Sequence, residues 1–596
     1  MTLQPSSAPV ALLLVLAVLA DVATAATITV NSTLDTAAND GLCTLREAIA
    51  SANDNVPSGG MANECAAGQA FPTIDQIHFA IPGGADAVHT ITPTAALPPL
   101  TAAVVIDGYT QGNASPNTQA IGTDAKLLIE INGSALPSGA VLLSVNTDGA
   151  TIRGLVINQL AFNTSGLWIN GHNGNTISGN YVETDPTGNT FADSANASVP
   201  VTVVGNANHV GGTNPGDRNV LAGGHGFGSS TLTIAGTGNV VQGNYIGVSA
   251  DGTSALQPGT PVYAIDPSFQ GPSSGTLIGG TAPGAGNVIY GAAYAIHMRF
   301  GVDAAVIQGN YIGTDATGSH ALGAGGYGIM IIGAKNTTIG GVGAGNVISG
   351  YGDAITTYAG ENEPGTVIQG NLIGSDSTGT HAIPNSGSGI RIGSPGVDLG
   401  LTATQSMVGG LNPGEGNTIA YNCGPGVRFE NAATFTRWPI LGNSIHSNNG
   451  LGIALQAFTD LPTPNDSGDA DTGPNNLQNY PVITSAPVSS GSVSISGTLN
   501  STPSKQFRIE FFSGIGCHAK GYGEGRHFLG AMNAVTTNGS GNASFNSPPL
   551  SVPAGQSVFT ATATDPDGNT SELSQCFGTP SLLFHDDFEG GCAGYD

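Results

Sequence analysis

Short alternations of apolar and polar residues recur through the middle of the chain. Apolar pairs two residues apart stand at Leu167/Ile169, Val201/Val203, Leu232/Ile234, Tyr263/Ile265, Ile296/Met298, Ile329/Ile331, Ile355/Thr357, Ile390/Ile392, Val427/Phe429 and Ile453/Leu455. A period of two predicts short strands with one buried face. Successive pairs lie 26 to 37 residues apart, so each strand opens one turn of a coil. About ten coils at roughly 4.8 Å each predict a rod some 50 Å long.

Two repeated modules fill the rest of each coil. GNYVETDPTG (179–188) returns at 243–252, 309–318 and 370–379, and GGTNPGDRNVLAG (211–223) returns at 279–291, 340–350 and 409–421. Such self-similarity marks a solenoid. Asn180, Asn244, Asn310, Asn371 and Asn443 share one repeated position. Asn tolerates a left-handed corner, and stacked amides can bond from coil to coil. The expected fold is all-β: a right-handed parallel β-helix, the hand following the crossover rule. Its N-terminal opening needs a cap. Residues 44–53 predict one, an amphipathic helix with Thr44 and Glu47 as a capping box and Leu45, Ala48, Ile49 and Ala52 on one face.

Composition shifts near residue 460. The expected order is a cap with first coils (26–100), β-helix repeats (101–459), an Asp/Pro/Gly linker (460–481), a small β-sandwich (482–580) and a tail (581–596). Residues 1–25 read as a secretory signal: an apolar run too short to span a bilayer, then Ala23-Thr24-Ala25 as the small-x-small cleavage pattern. No other membrane segment is evident. Six cysteines in an exported chain point to disulfides. Cys43 with Cys65 and Cys517 with Cys576 are the expected pairs, each within one region, although six cysteines allow fifteen connectivities.

Charged residues make up 9% of the chain and the formal net charge is −27. No basic stripe exists, which excludes nucleic acid as a partner. The acidity serves solubility or Ca²⁺ uptake outside the cell.

The segment ITVNSTLDTAANDGLCTLREAIASAN (28–53), with Thr44 in place of a Ser, resembles the Cys-Ser-Leu-Arg-Glu-Ala-type motif of bacterial secreted proteins. VVIDGYTQGNASPN (104–117) and the GNYIGTDATG repeats are similar to the parallel β-helix repeats of that group. The resemblance implies a secreted or outer-surface protein of Gram-negative type, often adhesin-like, and it supplies no catalytic residues. The 482–580 region resembles bacterial Ig-like modules, which serve as spacers or binding domains.

Candidate chemistry follows from the expected register. The central outward column reads Trp168, Thr202, Thr233, Ala264, His297, Met330, Thr356, Arg391, Arg428 and Ala454, and the next includes Asp266, Arg299 and Glu430. Neither holds a glycosidase's paired carboxylates or a lyase's clustered Asp. Asp266, His297 and Arg299 on adjacent coils are the candidate catalytic group, as His or Arg can serve as a base near a uronate. Arg391, Arg428 and Glu430 are the candidate glycan-binding group. Asp185, Asp315 and Asp376 recur in the TDxTG turns every second coil, about 10 Å apart, and read as turn formers. Asp466, Asp469 and Asp471 beside Asn465 form the candidate Ca²⁺ loop, which lacks an EF-hand's distal Glu. Asp565, Asp567 and Asn569 are a weaker Ca²⁺ candidate, since DPDGN also reads as a hairpin turn. Three functions fit: a non-catalytic adhesin or glycan/matrix-binding protein, a polysaccharide lyase or glycosidase acting in the groove, or a passive stalk.

Overall fold

The computed structural model describes residues 25–58, 64–192, 199–224, 229–256, 263–323, 325–358, 365–393, 406–430, 436–456, 461–578 and Cys592. The expected secretory signal and tail lie outside these residues, apart from Ala25 and Cys592. The described chain winds into a parallel β-helix. Three long sheets run side by side, and each coil adds one strand to each in turn. The first runs from Thr27–Val30 to Ile440–Leu441, the second from His89–Ile91 to Ser444–His446, and the third from Val141–Val145 to Ile453–Ala454. The first sheet holds 13 strands, which at about 4.8 Å spacing makes the rod about 58 Å long. Coils therefore begin at residue 27, before the ten strands marked by the apolar pairs.

The expected inward pairs point into one continuous apolar core, with one exception. The strand Tyr263–Pro267 pairs Ile265 with Leu232 and with Ile296, so Ile265 occupies the first inward position, not the second. Ala264 is also fully buried, and Tyr263 packs against His297 on the outer face. The chain bends there: two consecutive residues face inward, and the first is Gly or Ala in eight of the ten strands, with Pro200 and Thr231 in the other two. Gly328 shows why, since a Cβ would lie 2.5 Å from the Ala354 carbonyl oxygen and 2.8 Å from Ile348 Cγ2.

The corner asparagines form a ladder, but they are not left-handed. The preceding glycines take that conformation (φ 66° at Gly309). Each Asn instead donates to the next amide along the rod, through Asn180, Asn219, Asn244, Asn287, Asn310, Asn346, Asn371, Asn417 and Asn443. The second module supplies every other rung, so the ladder is unbroken. The TDxTG turns also touch rather than standing apart. Ala250 donates to the Gly188 carbonyl, Ala316 to that of Gly252 and Ser377 to that of Gly318, each at 2.9 Å. Asp185, Asp315 and Asp376 accept from backbone N–H groups of their own turns.

Both ends of the solenoid are covered. At the N-terminus the helix Leu45–Asp54 lies over the first strands with its capping box formed, and Cys43 is bonded to Cys65. At the other end, strands between Val482 and Gly578 form antiparallel sheets around a shared cluster that includes Ile495, Phe511, Phe545 and Phe559. Ile445 and Gly525 exchange both backbone hydrogen bonds, joining this region to the last coil. Two buried carboxylates finish the joint. Glu510 accepts from the Gly442 N–H (2.9 Å), and Glu572 accepts from those of Leu455 (3.0 Å) and Thr463 (2.6 Å). Backbone donors at the end of a stack would otherwise invite another chain. Cys517 is bonded to Cys576, and Cys423 to Cys592.

Candidate functional site

The outward face of the third sheet gathers most of the candidates. Corrected for the bend, its central column reads Trp168, Thr202, Thr233, Asp266, His297, Met330, Thr356, Arg391 and Arg428. Ala264 leaves the column, and Asp266 moves from the neighbouring one to stand directly beside His297.

Asp266, His297 and Arg299 meet there. Asp266 is fully buried, and its Oδ2 lies 2.9 Å from Arg299 Nη2 and 3.8 Å from His297 Nδ1. Arg299 Nε donates to His297 Nδ1 at 3.0 Å. A guanidinium can only donate, so Nδ1 must accept and the imidazole proton resides on Nε2. That N–H and both Asp266 oxygens are buried with no hydrogen-bond partner among the described residues, so the 2.9 Å approach of Arg299 Nη2 is a charge contact. The cluster can therefore offer one further donor, the imidazole N–H, and the acceptor capacity of both carboxylate oxygens, but its histidine has no free basic nitrogen. A general base needs a lone pair within reach of the proton it removes.

Aromatic rings surround this cluster. Tyr263, Tyr294 and Tyr327 stand in register on successive coils. Tyr294 stacks on Tyr327 (5.4 Å) and on His297 (4.8 Å). Tyr294 and Tyr327 thus turn their faces to one another, while Tyr263 lies tilted against Tyr294 (4.9 Å). Arg299 lies over Tyr263 (5.3 Å) and over Phe269 (5.5 Å). Phe269 and Phe300 are 49% and 63% exposed, and Phe300 lies across Gly333 of the next coil. Sequence reading missed both phenylalanines, since they sit in turns outside the strand pattern. It also placed Tyr263 inside.

Arg391, Arg428 and Glu430 also meet, further along the face. Arg391 Nη2 lies 2.6 Å and Arg428 Nη2 3.3 Å from Glu430 Oε1, and Arg391 Nη1 lies 3.2 Å from Asp353 Oδ2. Asp353 was not foreseen. Both guanidinium groups are thus engaged by carboxylates of the protein itself.

Asp466, Asp469 and Asp471 come together too, with one oxygen from each within 4.8 Å of the others. Burial first, then the bonds from Ser501 and Asn479 against the charges of Asp471 and Asp466, leave the Asp469 carboxyl up at about 6. Asp469 already accepts from the Asn479 N–H and the Ser501 hydroxyl, so much of its bonding capacity serves the joint between solenoid and C-terminal sheets. Asp565 accepts from the N–H groups of Asp567 and Asn569, as a turn-forming Asp does. A cleft of about 1040 Å³ lies beside the joint, lined in part by Pro462, Pro464, Tyr480, Tyr522 and Phe577.

No protein-family model matches the chain, and no curated protein matches it in sequence.

Proposed function

We propose that this is an exported or cell-surface β-helix protein that binds a glycan on the outward face of its third sheet without cleaving it. One observation carries the reading. Tyr263, Tyr294, Tyr327, Phe269, Phe300, Arg299, Asp266 and His297 converge on three adjacent coils, in a chain that is 6% aromatic and 9% charged. Sugar sites combine such rings with a few convergent polar groups. Three disulfides are compatible with an oxidising, extracellular setting, and no helix among the described residues is long and apolar enough to cross a membrane. The N-terminal motif supports a secreted protein of Gram-negative type. The C-terminal sheets, read as an Ig-like module, act as cap and spacer.

The clustering of Asp266, His297 and Arg299 on neighbouring coils favours a lyase or glycosidase as second reading. The tautomer imposed by Arg299 weighs against it. The test is retention on insoluble polysaccharides of the wild type, of Tyr327→Leu with Phe269→Ala, and of a control pair on the first sheet, Gln308→Ala with Gln369→Ala. The proposal expects retention lost in the first pair alone. Equal retention by all three proteins would refute it.

A further inference from the structure

The ion pairs of this face specify what kind of glycan it takes. A polyuronate held without a bridging metal ion calls for cations free to pair with its carboxylates. Here each guanidinium is matched by a carboxylate behind it: Arg299 by Asp266, and Arg391 and Arg428 by Asp353 and Glu430. Those three arginines and three carboxylates sum to zero, on a molecule whose formal net charge is −27. A polyanion approaching it is repelled at long range. At contact, its carboxylate would be the second one against Arg299, beside the buried Asp266.

What the face does offer suits hydroxyl groups. Arg299 is 32% exposed at its side chain, with Nε and Nη2 directed to His297 and Asp266. Its Nη1 donates no hydrogen bond among the described residues, leaving two N–H groups to reach a ligand. Their charge is balanced from below, so they act as fixed, oriented donors. The Phe269 ring lies against that guanidinium, and Phe300 follows Arg299 in the chain. Unlike Tyr294 and Tyr327, which stack on one another, these two expose about half or more of their surface. A pyranose ring presents C–H groups on its faces and hydroxyls at its edge, which matches open aromatic rings beside a planar donor.

We propose that Phe269, Arg299 and Phe300 form a subsite for an uncharged, hydroxyl-rich pyranoside chain, and that uronate polymers are not its ligand. This rests on the glycan-binding reading above. Both phenylalanines are exposed enough to be replaced without opening the core.

The experiment is affinity electrophoresis of the mature protein through gels containing either neutral polymers (a soluble β-glucan, a xylan and a galactomannan) or polygalacturonate, at 20 and 200 mM salt. The expected result is retardation by at least one neutral polymer, little changed by salt. Phe300→Ala, checked for an unchanged melting midpoint, should weaken it tenfold or more, and Phe269→Ala likewise. Retardation by polygalacturonate that fades at high salt and is lost in Arg299→Gln would overturn this proposal while leaving glycan binding intact. Neutral-polymer binding unaffected by either phenylalanine variant would overturn the subsite alone. No retardation by any polymer would overturn both readings.

Discussion

Replacing Asn310 tests the ladder that holds the coils together. Its carbonyl oxygen accepts from the backbone N–H and side-chain amide of Asn287 (3.0 and 2.9 Å). Its amide nitrogen donates toward the Ile278 and Gln308 carbonyls and Asn346 Oδ1 (3.0, 3.0 and 2.9 Å). Two hydrogens and two lone pairs fill about four hydrogen bonds. At ~1 kcal/mol net each, and with buried partners left unpaired, Asn310→Ala should cost roughly 4 kcal/mol. Asn310→Gly separates two explanations of the residue. If Asn served a left-handed corner, glycine would substitute without loss. In the structure Gly309 holds that corner, so glycine should be no better than alanine. Asn310→Asp should be the worst of the three, because it keeps the acceptor and turns a second oxygen, charged and buried, toward three others. Urea unfolding gives the global shift, and amide exchange around Ile278, Asn287 and Asn346 shows whether the loss is local to the adjoining coils, as a nearest-neighbour stack requires. An Asn310→Gly protein within 0.5 kcal/mol of wild type would refute the reasoning.

Other consequences concern the C-terminal joint. Burial lifts Glu572 to about 7 despite bonds from Leu455 and Thr463 that pull it down. A raised acid stabilises the fold below its ordinary pKa of about 4.3 and loses that contribution as pH climbs through 7. Relative to Glu572→Gln, wild type should lose on the order of 3 kcal/mol over that window, and parallel melting curves from pH 4.5 to 8 would contradict this. His446 has the opposite sign. Burial, then Arg526 and His527, hold it down at about 3, so its contribution is present above pH 6.5 and is lost as pH falls toward 3. His446→Gln should flatten the acid limb of the melting profile, and an unaltered limb counts against it. In the acidic loop, Asp469 is raised, so its ionisation destabilises the fold as pH rises through about 6. With chelator at pH 7, Asp471→Asn should therefore melt higher than wild type. A lower midpoint would show that the three charges are tolerated, and a wild-type midpoint raised by Ca²⁺ but not in the variant would assign the loop to the metal.

The solenoid was legible because its signals are local and repeated. Inward pairs announce themselves at every coil, and Thr44 and Glu47 lie three residues apart on the helix they cap. The exception at Tyr263 was legible in principle. Gly166, Ala295, Gly328, Ala354, Gly389, Gly426 and Gly452 each precede the first inward residue, and Ala264 before Ile265 joins that series, which only Pro200 and Thr231 interrupt. Strict alternation cannot register a bend where two neighbours both face inward, so Asp266 was assigned to the wrong column. Phe269 and Phe300 carry no periodicity, and only folding places one beside Arg299 and the other across Gly333. The C-terminal closure was illegible for a different reason. Glu510 meets Gly442 and Glu572 meets Leu455 across 68 and 117 residues, and Cys423 finds Cys592 across 169. No short-range pattern marks such contacts.

The most direct test of binding without cleavage is one incubation of the mature protein with a polysaccharide panel, with and without Ca²⁺, read by size-exclusion chromatography for polymer length and co-eluting protein together. The account predicts protein carried in the polymer peak and a polymer of unchanged length, with His297→Ala leaving that length unchanged as well. A polymer shortened by wild type and not by His297→Ala would contradict it and make the Asp266–His297–Arg299 cluster a catalytic centre.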